Sequence, residues 1–426
     1  MSELHDIAKC AREASYVMAS LSSDVKNQAL ANVASYLKSA KEDIFAANKT
    51  DLEEAEKNNL ETPLLKRLKF NDDKLTDVVS GIESLIGLND PVGRITLRTT
   101  LDDGLELTRV TCPIGVIGVI FESRPDALVQ IASLCIKSGN AVFLKGGSEA
   151  INTNKALASV ISKAGIDAGL PEGWLNLLTT RSEIADMLKL DEYIDLIIPR
   201  GSNSFVQYIM QNTNIAVLGH ADGVCHTYID VDADPSTAIK VAIDAKTQYV
   251  SVCNATETFL VNEELKETVL PGLVKALQDA GVEIFGDDYV ADTFGVSKAA
   301  EWHHEYLAMK CSVKVVKDVD EAISHINHYG SGHTDAIITE NKETAERFMT
   351  MVDSGSVLVN CSTRFADGFR YGFGAEVGIA TSKIHARGPV GLEGLVSYKY
   401  RLVGDGDIVG PYCDGTKKFK HIHHDN

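Results

Sequence analysis

The stretch of sequence that decides the fold is residues 113–145, PIGVIGVIFESRPDALVQIASLCIKSGNAVFLK. It contains two short apolar runs, Val116–Phe121 and Ala141–Lys145, which have the length and composition of buried strands. Between the runs, apolar residues recur at helical spacing, at Leu128, Ile131, Ala132 and Cys135. Ser138-Gly139-Asn140 then ends this helix. The stretch therefore predicts a strand–helix–strand unit with parallel strands.

The same alternation continues toward the C-terminus. A further helix is predicted at about 150–168, and further short strands at Leu175–Leu178, Ile194–Ile198, Ala216–Leu218 and Thr227–Val231. Repeated units of this kind predict a mostly parallel, doubly wound α/β sheet. Ligands bind such sheets at the carboxyl ends of the strands. The polar segments that follow three of the strands should therefore share one rim, at 121–123, 145–148 and 199–202.

A second α/β pattern follows, with helices predicted near 235–247, 263–280, 319–328 and 342–352, and strands near 258–261, 312–316, 335–339 and 356–360. The chain up to about residue 90 has helical periodicity. Residues 95–111 predict a hairpin with its turn at Asp102-Asp103-Gly104, and the β-like runs after about residue 395 are expected to pair with it. We therefore predict one domain from 1–94 and 112–231, a second from 232–391, and a β-flap with a tail from 95–111 and 392–426.

Composition is typical of a soluble globular protein. Of the 426 residues, 44% are hydrophobic and 24% are charged. The net charge of −19 argues against nucleic acid or an anionic membrane as the main partner. No apolar run reaches the roughly 18 residues of a membrane helix, and the N-terminus lacks the basic-then-apolar order of a signal peptide. The 8 cysteines form no C-x-x-C pair, which argues against a zinc ribbon and a disulfide framework. These features predict a cytoplasmic protein.

Two residues are candidates for chemistry at the ends of predicted elements. Cys253 lies in the polar stretch 251–255 before a strand, on a loop where a reactive group is able to meet a ligand. The plainer alternative is that Cys253 is a small core residue, the usual role of an intracellular cysteine. Lys145 opens a glycine-rich turn, where a lysine either holds a ribose hydroxyl or phosphate or simply faces solvent. No G-x-G-x-x-G follows the first strand, so the standard dinucleotide fingerprint is missing.

The last third of the chain carries further polar candidates. Three arginines in or near a glycine-rich segment are suited to binding a carboxylate or a phosphate, and equally to surface ion pairs: Arg364, Arg370 and Arg387. Three histidines cluster at positions 325, 328 and 333. Since no carboxylate stands at a suitable spacing to share a metal with them, we predict no metal site, and hydrogen bonds at a helix end are the simpler account.

Taken together, these segments resemble the aldehyde dehydrogenase superfamily and, within it, the γ-glutamyl phosphate reductase family. The matching runs appear in order over roughly residues 110–400, at 113–125, 145–150, 196–201, 219–223, 225–226, 251–255, 325–335, 374–378 and 383–393. The histidine-rich run and Ala386-Arg387-Gly388-Pro389 are specific to the reductases rather than to the wider superfamily.

The resemblance implies an aldehyde dehydrogenase-like fold of two doubly wound α/β domains plus a small β-flap for oligomerisation, with NADP(H) held by the first domain. It implies that Cys253 attacks an acyl phosphate, expels phosphate and forms a thioester, which accepts hydride to release an aldehyde. It places the cofactor at Lys145, Ser148, Gly201, Ser202 and Glu305. It places the substrate at Ser123, Arg124, Asn254 and Arg364, with the backbone N–H of Cys253 stabilising the oxyanion.

Two departures from the wider superfamily bear on the chemistry. Hydrolytic aldehyde dehydrogenases carry a glutamate that activates water, in a Glu-Leu-Gly-Gly run, but the comparable stretch here, 218–223, has none. His220 and Asp222 remain as alternative bases within it. Where an acidic residue would clamp the adenine ribose and repel a 2′-phosphate, this chain has Ser148. That exchange favours NADP(H) over NAD(H).

The resemblance thus implies NADPH-dependent reduction of L-glutamyl 5-phosphate to L-glutamate 5-semialdehyde, with release of phosphate, in proline biosynthesis. A homo-oligomer is expected, and association with glutamate 5-kinase, which makes the unstable substrate, is left open. Two alternatives stand beside this hypothesis. One is a related enzyme that acts on a different acyl phosphate, and the other is a catalytically inactive relative with a binding or structural role. The presence of Cys253 argues against the second.

Overall fold

The computed structural model describes residues 3–122, 124–180, 182–219 and 222–424, apart from the side chains of residues 62 and 63. The chain begins with the helices α1 (Glu3–Met18), α2 (Ser23–Ser39), α3 (Lys41–Lys57), α4 (Thr62–Leu68) and α5 (Asp72–Gly87). Leu30, Val33 and Leu37 of α2 are fully buried, as their helical spacing requires. Ser22 and Asn71 cap α2 and α5 with their side chains. The helical prediction for this part of the chain is confirmed.

The predicted hairpin follows, as β1 (Ile95–Asp102) and β2 (Leu105–Pro113). Gly104 forms its turn with a φ of +75°, a conformation that glycine adopts without strain. The hairpin prediction is therefore confirmed, including its turn.

The first large sheet is parallel and contains β3 (Val116–Ile120), β4 (Ala141–Lys145), β5 (Leu175–Leu177), β6 (Leu196–Pro199) and β7 (Ala216–Val217). Its connections contain α6 (Pro125–Ser138), α7 (Ile151–Asp167), α8 (Ser182–Met187) and α9 (Asn203–Gln211). The strand order in the described residues is β5-β4-β3-β6-β7. The order reverses between β3 and β6, and doubly wound sheets bind ligands at such a point, beyond the carboxyl ends of the strands.

The second large sheet is also parallel and contains β8 (Cys225–Ile229), β9 (Thr256–Asn262), β10 (Glu283–Gly286), β11 (Ser297–Lys298), β12 (Lys310–Val316), β13 (Thr334–Ile338) and β14 (Ser356–Val359). Its helices are α10 (Pro235–Thr247), α11 (Leu270–Asp279), α12 (Asp288–Phe294), α13 (Val319–Tyr329) and α14 (Lys342–Met351). Across the described chain the strands are ordered β11-β10-β12-β9-β8-β13-β14.

One strand assignment was wrong. The sequence analysis placed the strand at Thr227–Val231 in the first sheet, but β8 pairs with β9 and β13 in the second. An apolar run predicts a strand but not its pairing partners, so the assignment of β8 to the second sheet could come only from the structure. The sequence analysis also did not identify β10, α12 and β11, which are too short to show a clear period. The predicted domain boundary at residue 231 stays a prediction, although the change of sheet comes before β8.

The chain returns to the first core before it ends. Val377, Val390 and Leu395 pack in the same hydrophobic cluster as β3 and α6, although the sequence analysis grouped the chain up to residue 391 with the second domain. Two short strands in this segment, β15 (Gly378–Ala380) and β16 (Gly388–Val390), pair with each other. The remaining elements are β17 (Val396–Val403), α15 (Gly410–Cys413) and β18 (Ile422–His424).

The β-flap is an antiparallel sheet in the order β17-β2-β1-β18 over the residues described. The prediction that the C-terminal runs pair with the hairpin is confirmed, since β17 pairs with β2 along its whole length and β18 with β1. No helix in the described ranges is both long and apolar enough to cross a membrane.

Candidate active site

Cys253 lies on the loop between α10 and β9, as the alternation of helix and strand predicted. A second loop, which leads into β8, packs against it, and the Cys225 thiol donates to the Cys253 carbonyl over 3.1 Å. Position 223 requires glycine, because a Cβ there would stand 2.2 Å from that same carbonyl oxygen. The Cys253 side chain is half-buried. The backbone around the thiol is therefore fixed by tight packing of two loops.

A cavity of about 610 Å³ opens beside Cys253, where the carboxyl ends of β6 and β7 meet the amino end of β9. Among the described residues, three charged side chains line it, those of Arg200, Glu305 and Glu376. The other walls come mainly from the segments 198–206 and 218–219, together with Ser251, Leu307, Gly378, Ile379 and Val390. A mainly apolar wall with a few convergent polar groups is typical of a small-molecule site.

The electrostatic surroundings of Cys253 disfavour the thiolate in this state. Burial raises its pKa to about 12, and the carboxylates of Glu305 and Glu376 add to that effect. The backbone N–H of Cys253 itself and the Arg200 guanidinium act in the opposite direction. Because the thiolate and not the thiol is the nucleophile, a ligand that adds positive charge or displaces these carboxylates would activate the residue.

Glu305 lies on a loop that is joined by two hydrogen bonds to β9 and to the segment just before Cys253. Its own pKa is raised by burial, against the lowering effect of the Gly223 N–H. Two residues further on, Leu307 has a φ of +50°, which is uncommon for a non-glycine residue. The Leu307 N–H donates to Glu257 Oε1 over 3.2 Å, and its carbonyl accepts from Ser251 Oγ over 3.5 Å.

A fully buried ion pair lies behind this loop. Lys246 of α10 donates to Glu257 of β9 over 2.5 Å, and neither side chain is exposed to solvent. Burial raises the pKa of Glu257 to about 7, and Lys246 opposes that rise. The pair thus joins α10, β9 and the Glu305 loop through one carboxylate, whose second oxygen holds the Leu307 N–H.

The residues at the end of β6 fit a nicotinamide cofactor. Gly201 and Ser202 line the cavity and precede α9, and a Cβ on Gly201 would come within 2.9 Å of Glu122 Oε1, so that the exposed Glu122 side chain would have to move. Ser202 and Ser204 provide hydroxyl groups, which lie 3.3 Å apart, and Glu305 provides a carboxylate acceptor on the opposite wall. Hydroxyl and backbone donors at the start of a helix suit a pyrophosphate, and a carboxylate suits a ribose.

Lys145 and Ser148 lie on the same carboxyl edge but not on the main cavity. Lys145 ends β4, and β4 is separated from β6 by β3. The lysine is buried, and its Nζ donates to the Gly146 carbonyl over 2.5 Å. Ser148 is exposed at the start of the turn that follows. Their cofactor-binding role stays a prediction, for a part of the ligand that extends beyond this cavity.

Two predicted substrate residues are buried near Cys253. Asn254 Nδ2 donates to the Ala366 carbonyl over 2.9 Å, while its Oδ1 is buried and has no hydrogen-bond partner in the described residues. Arg364 Nε donates to Gln248 Oε1 over 3.0 Å. Burial lowers the pKa of Arg364, and the neighbouring Arg370 lowers it further.

The other predicted anion-binding residues have different surroundings. Arg124 is about half exposed and pairs with Asp126 over 3.3 Å. Arg370 donates to the Arg364 carbonyl over 2.9 Å. Arg387 pairs with Asp353 over 2.8 Å and does not line the cavity beside Cys253, so it is not part of that wall. Ser123 and His220 lie outside the described residues. Asp222 is 3.5 Å from His303 Nε2.

The sequence analysis did not select Arg200 and Glu376, although both line the cavity. Arg200 lies in the polar segment 199–202 of the predicted rim, and its position next to Gly201 was the feature that could have identified it as a cavity residue. Glu376 lies in the glycine-rich run 368–378, in which the sequence analysis selected Arg370 as an anion-binding candidate instead. Burial raises the pKa of Glu376, while the Gly368 N–H and Arg200 lower it.

The histidine-rich run packs against the second large sheet, where His325 contacts His226 of β8. His226 Nδ1 lies 3.0 Å from Asp335 Oδ1, and both residues are fully buried. His325 packs edge-on against the rings of His226 and Trp302. Burial lowers the pKa of His325 to about 2, with His226 and Lys314 contributing. Among the described residues, no three His, Cys, Asp or Glu side chains converge as a metal site would require.

Comparison with known proteins identifies relatives along almost the whole chain. The model of the aldehyde dehydrogenase family matches residues 1–288 and 297–395. A γ-glutamyl phosphate reductase of Pelotomaculum thermopropionicum is 61% identical over 421 residues, which cover 98% of this chain and 97% of the relative. One of Acetivibrio thermocellus is 59% identical over 420 residues, with coverage of 98% and 97%.

Solved structures agree with this result. The crystal structure of a γ-glutamyl phosphate reductase from Thermotoga maritima matches with a TM-score of 0.93 and 40% sequence identity, over 96% of this chain and 100% of that one. The reductase from Saccharomyces cerevisiae matches with a TM-score of 0.55 and 38% identity, over 96% and 99% of the two chains. The predicted fold class is confirmed. The chain belongs to the aldehyde dehydrogenase family and, within it, to the γ-glutamyl phosphate reductases.

Proposed function

We propose that the protein catalyses the NADPH-dependent reduction of L-glutamyl 5-phosphate to L-glutamate 5-semialdehyde, with release of phosphate, in the proline biosynthesis of the cytoplasm. The observation that carries the proposal is the position of Cys253. Its thiol lies beside a cavity that one sheet borders with its carboxyl edge and the other with its amino edge, and Arg200 and Glu305 line the same cavity. The high identity to proteins named for this reaction supports the same substrate.

In the proposed reaction, Cys253 attacks the acyl carbon of the substrate. A carbon–sulfur bond forms, the bond from carbon to the phosphate oxygen breaks, and the resulting thioester holds the acyl group on the enzyme. The Cys253 backbone N–H stabilises the negative oxygen that develops during the attack. NADPH, when bound, would supply a hydride to the thioester carbon; the carbon–sulfur bond then breaks, the aldehyde is released, and Cys253 leaves as a thiolate that takes a proton from solvent.

The site must also keep water from the thioester. The stretch 218–223 contains no glutamate to activate water, and Asp222 within it lies close to His303. Asp222 is also absent from the residues that line the cavity beside Cys253, so it is poorly placed to activate water there. This arrangement supports reduction over hydrolysis.

The preference for NADP(H) over NAD(H) rests on Ser148. This residue is exposed, uncharged and able to donate a hydrogen bond, three positions after the buried Lys145. An acidic side chain at that position would repel a 2′-phosphate, whereas a hydroxyl group accommodates it.

Self-association through the β-flap is part of the proposal. Tyr398, Tyr400, Leu402 and Val403 on β17 are each more than half exposed. β17 is also an edge strand of its sheet in the described residues, so its backbone is able to pair with a second copy. Association with glutamate 5-kinase remains a proposal without a surface assigned to it.

The test is an assay of NADPH formation in the reverse direction, from glutamate 5-semialdehyde, NADP⁺ and inorganic phosphate. We expect the wild type to require phosphate, Cys253→Ala to be inactive while it still binds NADP⁺, and NAD⁺ to be the weaker cofactor. Formation of NADPH without phosphate would identify a hydrolytic dehydrogenase instead. Activity only with a different aldehyde would identify the alternative acyl phosphate, and a clear preference for NAD⁺ would contradict the role of Ser148.

A further inference from the structure

Arg200 differs from the other arginines near the active site in that its side chain has no partner among the described residues. In the described part of the chain its guanidinium makes no hydrogen bond and no ion pair. By contrast, Arg364 contacts Gln248, Arg124 pairs with Asp126 and Arg387 pairs with Asp353. An arginine that is partly withdrawn from water normally has a carboxylate or another acceptor nearby.

The backbone holds Arg200 firmly at the point where the strand order of the first sheet reverses. It follows β6 directly, and its N–H donates to the Ile120 carbonyl at the end of β3 over 2.7 Å. Its side chain lines the main cavity with Cys253, and also a smaller cavity of about 210 Å³ that contains Arg124 and Glu122. Arg200 and Gly201 therefore border both cavities.

On the side of Cys253, Arg200 is the single arginine among the described residues that line the cavity, and it faces a space that Glu305 and Glu376 also line. Burial lowers the pKa of Arg200, and the like charge of Arg124 lowers it further. Glu376 opposes this, but its carboxylate accepts the Gly368 N–H over 2.9 Å instead of pairing with Arg200. On the other side, the smaller cavity is lined by Arg67 and Arg124 as well as Glu122, so it also attracts anions, but it does not contain Cys253. A ligand anion in the main cavity would supply the missing partner.

We propose that Arg200 receives the phosphoryl group of the acyl phosphate during attack by Cys253, and inorganic phosphate in the reverse reaction. This inference rests on the proposed function. As the carbon–sulfur bond forms, the electron pair of the broken carbon–oxygen bond leaves with the phosphate, which also takes up the thiol proton. The phosphoryl group is attached directly to the attacked carbon, whereas the α-carboxylate is separated from it by three carbons. A guanidinium in the wall beside the sulfur therefore suits the phosphate, which it holds through two parallel hydrogen bonds.

The reverse reaction separates the two anions of the substrate, because phosphate and the carboxylate-bearing semialdehyde are then different molecules. We expect Arg200→Gln to raise the KM for phosphate about 10- to 100-fold, the effect of losing a charge-assisted hydrogen bond. The KM for the semialdehyde should change less than about threefold, and Arg200→Lys should recover part of the phosphate affinity. Arg347→Gln, which removes an exposed arginine on α14, is the matched control and should behave as the wild type.

A second measurement does not depend on turnover. Inorganic phosphate should slow the alkylation of Cys253 by iodoacetamide in the wild type and in Arg347→Gln, but not in Arg200→Gln. A raised KM for the semialdehyde alone would assign Arg200 to the carboxylate and overturn the inference. Unchanged KM values, or protection by phosphate that persists in Arg200→Gln, would also overturn it. If the wild type makes NADPH without phosphate, the proposed function itself fails, which is a different result.

Discussion

The surroundings of Cys253, the proposed nucleophile, hold its proton in the free protein. With a pKa of about 12, set by burial and by Glu305 and Glu376, only a small fraction is thiolate at neutral pH. We expect alkylation of Cys253 to be slow at pH 7 and to rise about tenfold per pH unit up to pH 10, because the thiolate fraction grows tenfold per unit below the pKa. Iodoacetamide labelling followed by mass spectrometry would measure this in a protein with the exposed Cys10 and Cys413 changed to serine.

Substitutions of the charged residues around Cys253 should change its rate of alkylation in opposite directions. Glu376→Gln removes a negative charge and should make Cys253 more reactive at a given pH, whereas Arg200→Gln should make it less reactive. A labelling rate that reaches a plateau below pH 9 would contradict the high pKa.

The sequence analysis selected Cys253 as a candidate but not Arg200, and the reason is physical. Cys253 was recognisable from a polar loop between a helix and a strand and from the resemblance around it. Arginines all look alike in a sequence, and their roles depend on partners that the fold brings from far along the chain. Asp353 pairs with Arg387 and Gln248 accepts a hydrogen bond from Arg364, whereas the Arg200 side chain has no partner in the described structure.

At the scale of elements, the buried Lys246–Glu257 pair connects α10, β9 and the Glu305 loop. We expect Lys246→Met to destabilise the protein by about 3–5 kcal/mol, because Glu257 would be left as an uncompensated buried carboxylate. Urea unfolding followed by tryptophan fluorescence would measure the loss.

The double variant Lys246→Met with Glu257→Gln separates charge from packing. It removes both charges but keeps an oxygen that accepts the Leu307 N–H. We expect it to recover most of the stability lost in the single variant. Equal losses in the single and double variants would mean that the ion pair does not account for the effect.

Most elements were predictable because each shows its own period. The strands β3, β4 and β12 and the helices α7, α10 and α13 appear close to their predicted positions. Sheet membership was not predictable for β8, since an apolar run looks the same in either sheet. The return of Val377 and Val390 to the first core was missed for a similar reason, because glycine-rich segments carry no period that links them to distant helices.

At the scale of the whole molecule, the exposed edge of the β-flap predicts how copies associate. Replacing Tyr400 and Leu402 together with aspartate should reduce the assembly toward single chains, because charges on an edge strand oppose strand pairing with a neighbour. Light scattering after size-exclusion chromatography would measure the mass. Met349→Asp, an exposed apolar position on α14, is the control and should leave the mass unchanged. An unchanged mass in the double variant would move the interface elsewhere.

The two paired strands of the β-flap, β2 and β17, are made at very different times during translation. β2 emerges early, yet its partner β17 is synthesised about 280 residues later, a delay on the order of tens of seconds at usual rates of translation. During that interval the edge of β2 that β17 later covers is open to solvent. A nascent chain in this condition is at risk of pairing with its neighbours, and chaperones have their clearest reason to act at this stage. If copies join through β17, as proposed, each chain synthesises the strands of both large sheets before it can associate.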